Sequence, residues 1–278
     1  MPALAAFASI LGALLVPKLE DRRREGDQRA EIQAVLDASA FVPFFQPIVD
    51  LHTGDVVGYE ALSRFADGMP PDARFAAAAR VGLDVELELA TLRAAITTAA
   101  AVLSPTAYLS LNASPGLITS GGLRGLLAGI ARPLVLEITE HDAIEDYRAL
   151  RAALAALGPT VRLAVDDAGA GYASFRHILE LAPDIVKLDL GLIRGIDGDL
   201  ARQALLAGMA HFAAKREIVL VAEGIETLEE LEVLRSLAIP CGQGYLVGLP
   251  QDGRGSGPWP TAVSLETKPA SASEVARR

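Results

Sequence analysis

Several short apolar stretches of this chain end in a carboxylate, an amide or a lysine. The residues at these ends are Glu60, Asn112, Glu137, Asp166, Asp167, Lys187 and Glu223. Hard divalent cations such as Mg²⁺ and Mn²⁺ prefer oxygen ligands, so carboxylates and an amide that meet at one place would form a metal site. Acids gathered there would repel one another without cations among them. The pattern therefore predicts a metal-dependent active site.

These residue types would be sufficient for two ions. The ligands of one ion would be Glu60, Asn112, Glu137 and Asp166. The ligands of the other would be Asp166, shared between the two ions, with Asp167 and Glu223. Two ions about 3.5–4 Å apart stabilise the attacking and leaving oxygens of a phosphoryl displacement, and Lys187 would add positive charge for the water nucleophile or the phosphate. If a regular strand continued through Asp166 and Asp167, these side chains would point in different directions.

The apolar stretches that precede these residues are typical of buried parallel strands, which read as continuous apolar runs. Examples are Leu134–Leu136, Leu163–Val165, Ile185–Val186 and Val219–Ala222. Helical patterns lie at about 142–156, 173–181, 199–215 and 227–237. In a closed β/α barrel the carboxyl ends of the strands meet at one mouth, and 278 residues are enough for a barrel of about 250. The predicted fold is therefore α/β, a TIM-like (β/α)8 barrel.

The first two predicted strands depart from a regular barrel. Phe41–Leu51 and Val56–Phe65 flank the turn signal Thr53-Gly54-Asp55. A turn this tight cannot join parallel strands, because a parallel crossover needs a dozen or more residues. We therefore expect the first strand to be antiparallel to the second.

The ends of the chain differ from the predicted barrel, which we place at 37–250. Residues 1–36 form an N-terminal helical segment, a candidate connection to an upstream sensory domain, and 251–278 form a flexible tail rich in Gly, Pro and Ser. Ala3–Val16 is shorter than the ~20 residues that a membrane span needs. No basic residue precedes it, so it is also a poor signal peptide. A packed helix is the favoured interpretation, and a helix on a membrane surface is the alternative.

Composition excludes several classes of function. The net charge of −10 argues against binding of a nucleic-acid polymer. It does not exclude a small phosphorylated ligand, because a metal ion can neutralise both ligand and protein. The single cysteine, Cys241, excludes an internal disulfide and a cysteine-rich zinc site, and it fits a cytoplasmic location. The four histidines lack the spacing of metal ligands.

The motifs along the chain resemble those of one enzyme family. Glu60-Ala61-Leu62-Ser63-Arg64 resembles the E-A-L-x-R signature of EAL-domain cyclic di-GMP phosphodiesterases. Further segments match this family in order, over about residues 40–250: Phe45–Val49, Leu109–Asn112, Leu136–Glu140, Asp166–Tyr172, Val186–Asp189, Ala222–Glu226 and Gly242–Tyr245. Each short match is weak by itself, but together and in order they are specific.

The resemblance implies a barrel with an antiparallel first strand. It also implies hydrolysis of cyclic di-GMP to linear 5′-pGpG with two Mg²⁺ or Mn²⁺ ions. The metal ligands implied are the two sets given above. Lys187, Glu223 and Asp166 resemble the catalytic residues, with Lys187 orienting the water and Glu223 as the general base of a one-metal proposal. The positions that resemble substrate contacts are Gln46, Leu62, Arg64 and Gln243. Arg64 suits bidentate contact with a phosphate, and Glu140 resembles the acid that supports the loop after Asp167.

Two residues of that loop depart from the family pattern, since Ala168 replaces a frequent Phe and Ala170 a frequent Thr. The alternative function is a catalytically inactive receptor module that binds cyclic di-GMP. Degenerate relatives of that kind lack some of the metal-binding acids, whereas this chain has them all. By analogy with the family we also expect a homodimer formed near the loop after Asp167.

Overall fold

The structure is a computed structural model that describes residues 2–139, 143–169, 173–255 and 259–265, with side chains described from residue 20 onward and not at 173–174. The strands are β1 Phe41–Asp50, β2 Val56–Phe65, β3 Tyr108–Asn112, β4 Leu134–Thr139, β5 Val161–Ala168, β6 Ile185–Leu188, β7 Val219–Ala222, β8 Cys241–Gly242 and β9 Gln251–Asp252. The helices are α1 Pro2–Asp37, α2 Pro71–Arg80, α3 Asp84–Val102, α4 Pro115–Ser120, α5 Gly122–Leu127, α6 Tyr147–Ala155, α7 Ala173–Leu181, α8 Leu190–Ile193, α9 Leu200–Arg216 and α10 Leu228–Ser236.

Strands β1 to β8 close into a barrel, in which each strand pairs with the next along the chain and β8 returns to β1. Strand β1 is antiparallel to both of its barrel neighbours, whereas the pairs from β2 to β8 are parallel. The Asp50 carboxylate accepts the backbone N–H groups of His52 and Thr53, which stabilises the β1–β2 turn. The predicted (β/α)8 barrel with an antiparallel first strand is therefore confirmed.

The inner face of the barrel has an apolar layer on the side away from the mouth. This layer contains Ile48, Tyr108, Val135, Ala164, Ile185 and Val221. Side chains alternate between the two faces of a strand, so the residue two positions later faces inward again, nearer the mouth. The larger cluster, which includes Leu109, Leu136 and Val165, packs between the strands and the helices. The apolar inner layer thus closes the barrel beneath the polar residues at its mouth.

Side chains at the helix starts satisfy first-turn N–H groups of several outer helices. Asp146 caps α6, and Asp199 caps α9 by accepting the N–H groups of Ala201 and Arg202. Thr227 and Glu230 form a reciprocal capping box at the start of α10. These caps fix where each helix leaves its loop.

The last turns of helix α1 contact the rest of the fold. Ile32 and Val35 are buried in a cluster with Ala77 and Ala78 of α2, whereas residues 20–27 are exposed. Within the described ranges, no helix combines the length and the apolar character that crossing a membrane requires.

Two parts of the segment after residue 250 contact the β1–β2 hairpin. Gln251 and Asp252 pair with β1. The ring of Trp259 packs edge-on against Phe45 and Tyr59, with centroids 5.6 Å and 5.5 Å away. Residues 256–258 and 266–278 lie outside the described ranges. The domain boundaries at 36 and 250 and the flexible tail remain predictions.

Candidate active site

The predicted site residues lie at the mouth of the barrel on successive strands. Glu137, Asp166, Lys187 and Glu223 each stand two positions after a residue of the apolar inner layer. Asn112 ends β3, and Gln243 follows β8 directly. Glu60 of β2 pairs in register with Gln46 of β1. Period-two alternation along adjacent parallel strands therefore brings together side chains that are far apart in the sequence.

Lys187 lies at the centre of the acidic cluster. Its Nζ is 2.8 Å from Glu223 Oε1, 3.0 Å from Glu137 Oε2 and 3.0 Å from Asp166 Oδ2. It is also 3.4 Å from Glu60 Oε2, and its side chain is only 2% exposed. A buried ammonium needs such partners, since an unpaired buried charge is strongly unfavourable. Lys187 thus supplies positive charge within an otherwise acidic cavity.

Amide and hydroxyl groups hold the carboxylates in position. Gln243 Nε2 donates to Glu60 Oε2 at 2.8 Å and to Glu223 Oε1 at 2.9 Å. Asn112 Nδ2 donates to Glu60 Oε1 at 3.3 Å. The Gln243 Oε1 atom is buried and has no hydrogen-bond partner among the described residues. Gln243 therefore connects the acid of β2 with the acid that follows β7, and Asn112 gives Glu60 a second contact.

A β-bulge places the two neighbouring aspartates together. Val165 and Ala168 pair with Val186 and Leu188 of β6, so Asp166 and Asp167 both stand opposite one residue. Asp167 has φ of 57°, which departs from the extended conformation. One carboxylate oxygen each from Asp166, Asp167 and Glu223 lie within 4.8 Å of one another. The expectation for a regular strand, that these aspartates point in different directions, is wrong because of this bulge.

Burial dominates the electrostatics of the carboxylates. It raises the pKa of Glu137 well above its usual value, against the opposing attraction of Lys187. Burial also raises the pKa of Glu223 to about 8. Burial would lower the pKa of Lys187, but the carboxylates of Asp166, Glu137, Glu223 and Glu60 outweigh it and hold that pKa well above its usual value. The cavity therefore favours added positive charge.

The donor set fits hard divalent cations. Oxygens of Glu60, Glu137 and Asp166 lie within 4.8 Å of one another, as do those of Asp166, Asp167 and Glu223. The two groups share Asp166, as the sequence predicts for two neighbouring ions. Carboxylate and amide oxygens with no sulfur or imidazole among them suit Mg²⁺, Mn²⁺ or Ca²⁺.

A cleft of about 530 Å³ opens above the acidic cluster. Leu62 and Arg64, which follow Glu60 along β2, line this cleft. Gln46 is buried beside it and donates from Nε2 to the carbonyl oxygen of Gly248 at 3.1 Å. The lining also includes Pro71, Asp72 and Phe75, at the start of α2. The cleft thus joins predicted substrate contacts to the predicted metal ligands.

Two predicted features fall outside the described ranges. Glu140, predicted to support the loop after Asp167, lies there, and so does Ala170 of that loop. Ala168 is described and is buried at the end of β5.

Sequence reasoning missed the role of one buried hydroxyl. Ser110 donates to Glu137 Oε1 at 2.5 Å and is almost fully buried. It stands two positions after Tyr108 of the apolar layer and two before Asn112, so alternation along the strand could have identified it.

Comparisons with known proteins support the same interpretation. Residues 29–250 match the sequence profile of the EAL domain. An uncharacterised protein of Mycobacterium tuberculosis is 30% identical over 253 residues, which cover 84% of this chain and 41% of that protein. The cyclic di-GMP phosphodiesterase PdeL of Escherichia coli is 28% identical over 241 residues, which cover 80% of this chain and 66% of PdeL. The chain therefore spans less than two thirds of both relatives.

Solved structures with the same barrel include a complex of BlrP1 from Klebsiella pneumoniae with manganese and cyclic di-GMP. It matches with a TM-score of 0.70 and 31% identity, covering 77% of this chain and 57% of that one. The complex of BlrP1 with calcium and cyclic di-GMP matches with a TM-score of 0.69 and 32% identity, covering 80% and 59%. BlrP1 thus binds a divalent cation and the cyclic dinucleotide in the same structure.

Proposed function

The chain belongs to the EAL domain family, and from this premise we propose that it is a metal-dependent phosphodiesterase that hydrolyses cyclic di-GMP to linear 5′-pGpG. One observation carries the proposal: the described metal-binding and catalytic candidates meet at one mouth, beneath a cleft lined by Arg64. The naming of PdeL as a cyclic di-GMP phosphodiesterase supports the substrate. The BlrP1 complexes support a divalent cation beside that substrate.

The residues that would hold two Mg²⁺ or Mn²⁺ ions form two sets. The first set is Glu60, Asn112, Glu137 and Asp166, and the second is Asp166, Asp167 and Glu223. When bound, the ions would offset the negative charge of the cluster and of the phosphodiester. Ser110 would orient the Glu137 carboxylate for ligation by holding Oε1.

The side chains of this chain then account for the chemistry. Arg64 binds a non-bridging phosphate oxygen, and Gln46, Leu62 and Gln243 contact the rest of the dinucleotide. Lys187, 2.8 Å from Glu223, orients the attacking water. The water oxygen bonds to phosphorus and Glu223 accepts its proton. The bond from phosphorus to the 3′ oxygen breaks, and that oxygen takes a proton from solvent.

Hydrolysis of the cyclic dinucleotide tests the proposal directly. Purified protein with Mn²⁺ and cyclic di-GMP should release linear pGpG, separated from substrate by chromatography. Glu60→Ala should lose turnover because it removes a metal ligand, whereas Glu232→Ala, an exposed surface change of the same type, should retain it. Absence of pGpG with Mg²⁺ and with Mn²⁺, in monomer and oligomer fractions alike, would reject the proposal.

The alternative is a receptor module that binds cyclic di-GMP without cleaving it. Its signature would be calorimetric binding of cyclic di-GMP by the wild-type protein with no product. The presence of every predicted metal-binding acid favours the enzyme, because a receptor has no need to retain both sets.

We also propose that the protein forms a homodimer through the surface between α7 and α9. This surface exposes Phe175 by 50%, Leu179 by 69%, Leu205 by 47% and Phe212 by 39%. The side chains border an apolar pocket of about 360 Å³. Exposed apolar surface of this kind is typical of interaction sites. Helix α7 follows the predicted dimer loop, so this surface agrees with the expectation drawn from the family.

Light scattering after gel filtration tests the dimer. Leu179→Glu places a charge in the surface and should shift the protein to monomer. Leu200→Glu is the matched control, because Leu200 is 80% exposed and does not line the pocket. A mass that stays dimeric in the Leu179→Glu variant, or a monomeric wild type, contradicts this surface.

A cytoplasmic location and an upstream sensory domain remain proposals. The single cysteine supports the first. The exposure of residues 20–27 of α1, which leave the barrel, supports the second.

A further inference from the structure

A buried arginine connects the wall of the cleft to helix α1. Arg74 of α2 is fully buried. Its Nη1 is 2.6 Å from Glu31 Oε1 of α1, and its Nη2 contacts Asp67, which follows β2. Its guanidinium also lies over the ring of Phe65, with 5.6 Å from Cζ to the centroid. A buried guanidinium is stable only while such partners remain, so Arg74 ties three segments together.

The same helix forms one wall of the cleft. Pro71, Asp72 and Phe75, which flank Arg74 in sequence, line the cleft. Phe75 packs edge-on against Phe65, with centroids 5.9 Å apart. The ring under the Arg74 guanidinium is therefore the ring that supports Phe75. A change in the partners of Arg74 would alter the position of this wall while leaving the metal ligands in place.

The last turns of helix α1 contact α2 from Arg74 to Val81. Arg29 Nη1 donates to the carbonyl oxygen of Val81, at the end of α2, at 2.5 Å. Ile32 and Val35 pack into the same cluster as the α2 alanines. Glu31 provides the contact at the opposite end of α2, toward the cleft. Because residues 20–27 are exposed, movement of that part of α1 would reach the barrel mainly through these contacts.

We propose that Arg74, held by Glu31 of α1, is a positioning residue that sets the substrate affinity of the cleft and couples it to helix α1. The inference rests on the proposed function, since the ligand whose affinity changes is cyclic di-GMP. It adds a means by which α1 regulates that site. Loss of the Glu31 contact loosens the cleft wall formed by Asp72 and Phe75, so it weakens substrate binding more than it slows the chemical step.

Steady-state kinetics of Glu31→Ala tests this coupling in the full chain. Glu31 is on the surface, with its side chain 54% exposed, and Arg74 keeps Asp67 and the ring of Phe65 in the variant, so the variant should fold. We expect KM to rise roughly 3- to 10-fold with kcat changed less than about twofold, within the range reported for coupling substitutions. The amide oxygen of Glu31→Gln can still accept a hydrogen bond from the guanidinium. The KM of this variant should therefore lie between the KM of Glu31→Ala and that of wild type.

Glu25→Ala is the matched control, because it makes the same change on the exposed part of α1. It should leave both constants unchanged. Calorimetric titration with cyclic di-GMP and Ca²⁺ should show the same weakening for Glu31→Ala as KM does. If the wild type turns over but Glu31→Ala has the same KM and the same affinity as Glu25→Ala, the coupling is overturned and the proposed function is not. A wild type that neither turns over nor binds overturns the proposed function, and the coupling with it.

Discussion

The two faces of strand β2 are built for opposite purposes, although adjacent residues define them. Glu60 faces inward and joins the acids around Lys187. Tyr59 faces outward, where its ring contacts Trp259 and its hydroxyl donates to the carbonyl oxygen of Pro260 at 2.5 Å. Buried like charges oppose folding, whereas buried aromatic surface favours it. The inner face thus loses stability to form a binding site, whereas Tyr59 on the outer face adds stability and does not line the cleft.

The strongest test of this contrast is Glu137→Gln on the inner face. Removing a proposed metal ligand should lower turnover by at least about 1000-fold, a loss comparable to that of a key catalytic group. The unfolding temperature in a chelator should stay the same or rise, because a carboxyl group whose charged form is disfavoured by burial becomes a neutral amide, and Lys187 keeps its contacts with Glu60, Asp166 and Glu223. Product chromatography and calorimetry measure the two effects. A clear loss of stability would show that Glu137 is a structural residue.

A smaller effect should come from the hydroxyl that holds Glu137. Ser110→Ala should weaken Mn²⁺ binding by roughly 10- to 100-fold, the usual cost of losing a partner that orients a metal ligand. Titration with Mn²⁺ followed by calorimetry measures this change. Ser110→Thr keeps the hydroxyl and serves as the control. Equal Mn²⁺ affinity in Ser110→Ala and wild type would contradict the role given to this hydrogen bond.

On the outer face, Trp259→Ala should affect stability only. We expect the free energy of unfolding to fall by about 2–3 kcal/mol, at or below the range for large aromatic truncations because Trp259 is partly buried. KM and kcat should stay within about twofold of wild type. Urea denaturation followed by circular dichroism gives the first value, and Trp259→Phe should recover most of it. A large change in KM would mean that the two faces are not separate.

The smallest effect concerns pH in the metal-free protein. Burial raises the pKa of Glu223 from its usual 4.5 to about 8 in the folded chain. Between these values the folded state holds a proton that the unfolded state releases, so stability should decrease as pH rises from about 5 to 8. Mn²⁺ binding requires loss of that proton, so Mn²⁺ affinity should increase over the same range.

Urea midpoints in a chelator at several pH values measure the first trend. Glu223→Gln, which cannot titrate, should give a flatter dependence than wild type. If the urea midpoint of the wild type rises with pH more steeply than that of Glu223→Gln over this range, the predicted loss of stability with rising pH is wrong.

Local patterns in the sequence were sufficient to predict the barrel and the meeting of the acids and Lys187 at its mouth, whereas the substrate contacts were predicted from the family resemblance. Apolar runs that end in acids identified the inward positions, because burial and strand period are local properties. The short turn at Gly54 was enough to predict the antiparallel pair. These features depend on residues close together in the chain, so their physics is visible without coordinates.

Other features depend on contacts that no local pattern contains. The bulge at Asp166 and Asp167 depends on the register with β6. A prediction made for one strand at a time assumes regular alternation, so it does not include the bulge. Arg74 meets Glu31 across 43 positions, and Tyr59 meets Pro260 across 201. In sequence, a charged residue within an alanine-rich helix predicts an exposed side chain, so the burial of Arg74 was not foreseeable.

Lys187 gives the barrel an internal counterion of its own. During biosynthesis the chain can close around this ammonium, and its assembly does not need to wait for a metal supply. Scarcity of Mg²⁺ or Mn²⁺ would then leave a folded but idle protein, ready to be activated when the ion arrives. In zinc fingers, by contrast, loss of the ion unfolds the domain. Metal supply would therefore control the proposed activity of this protein and not the amount of folded protein.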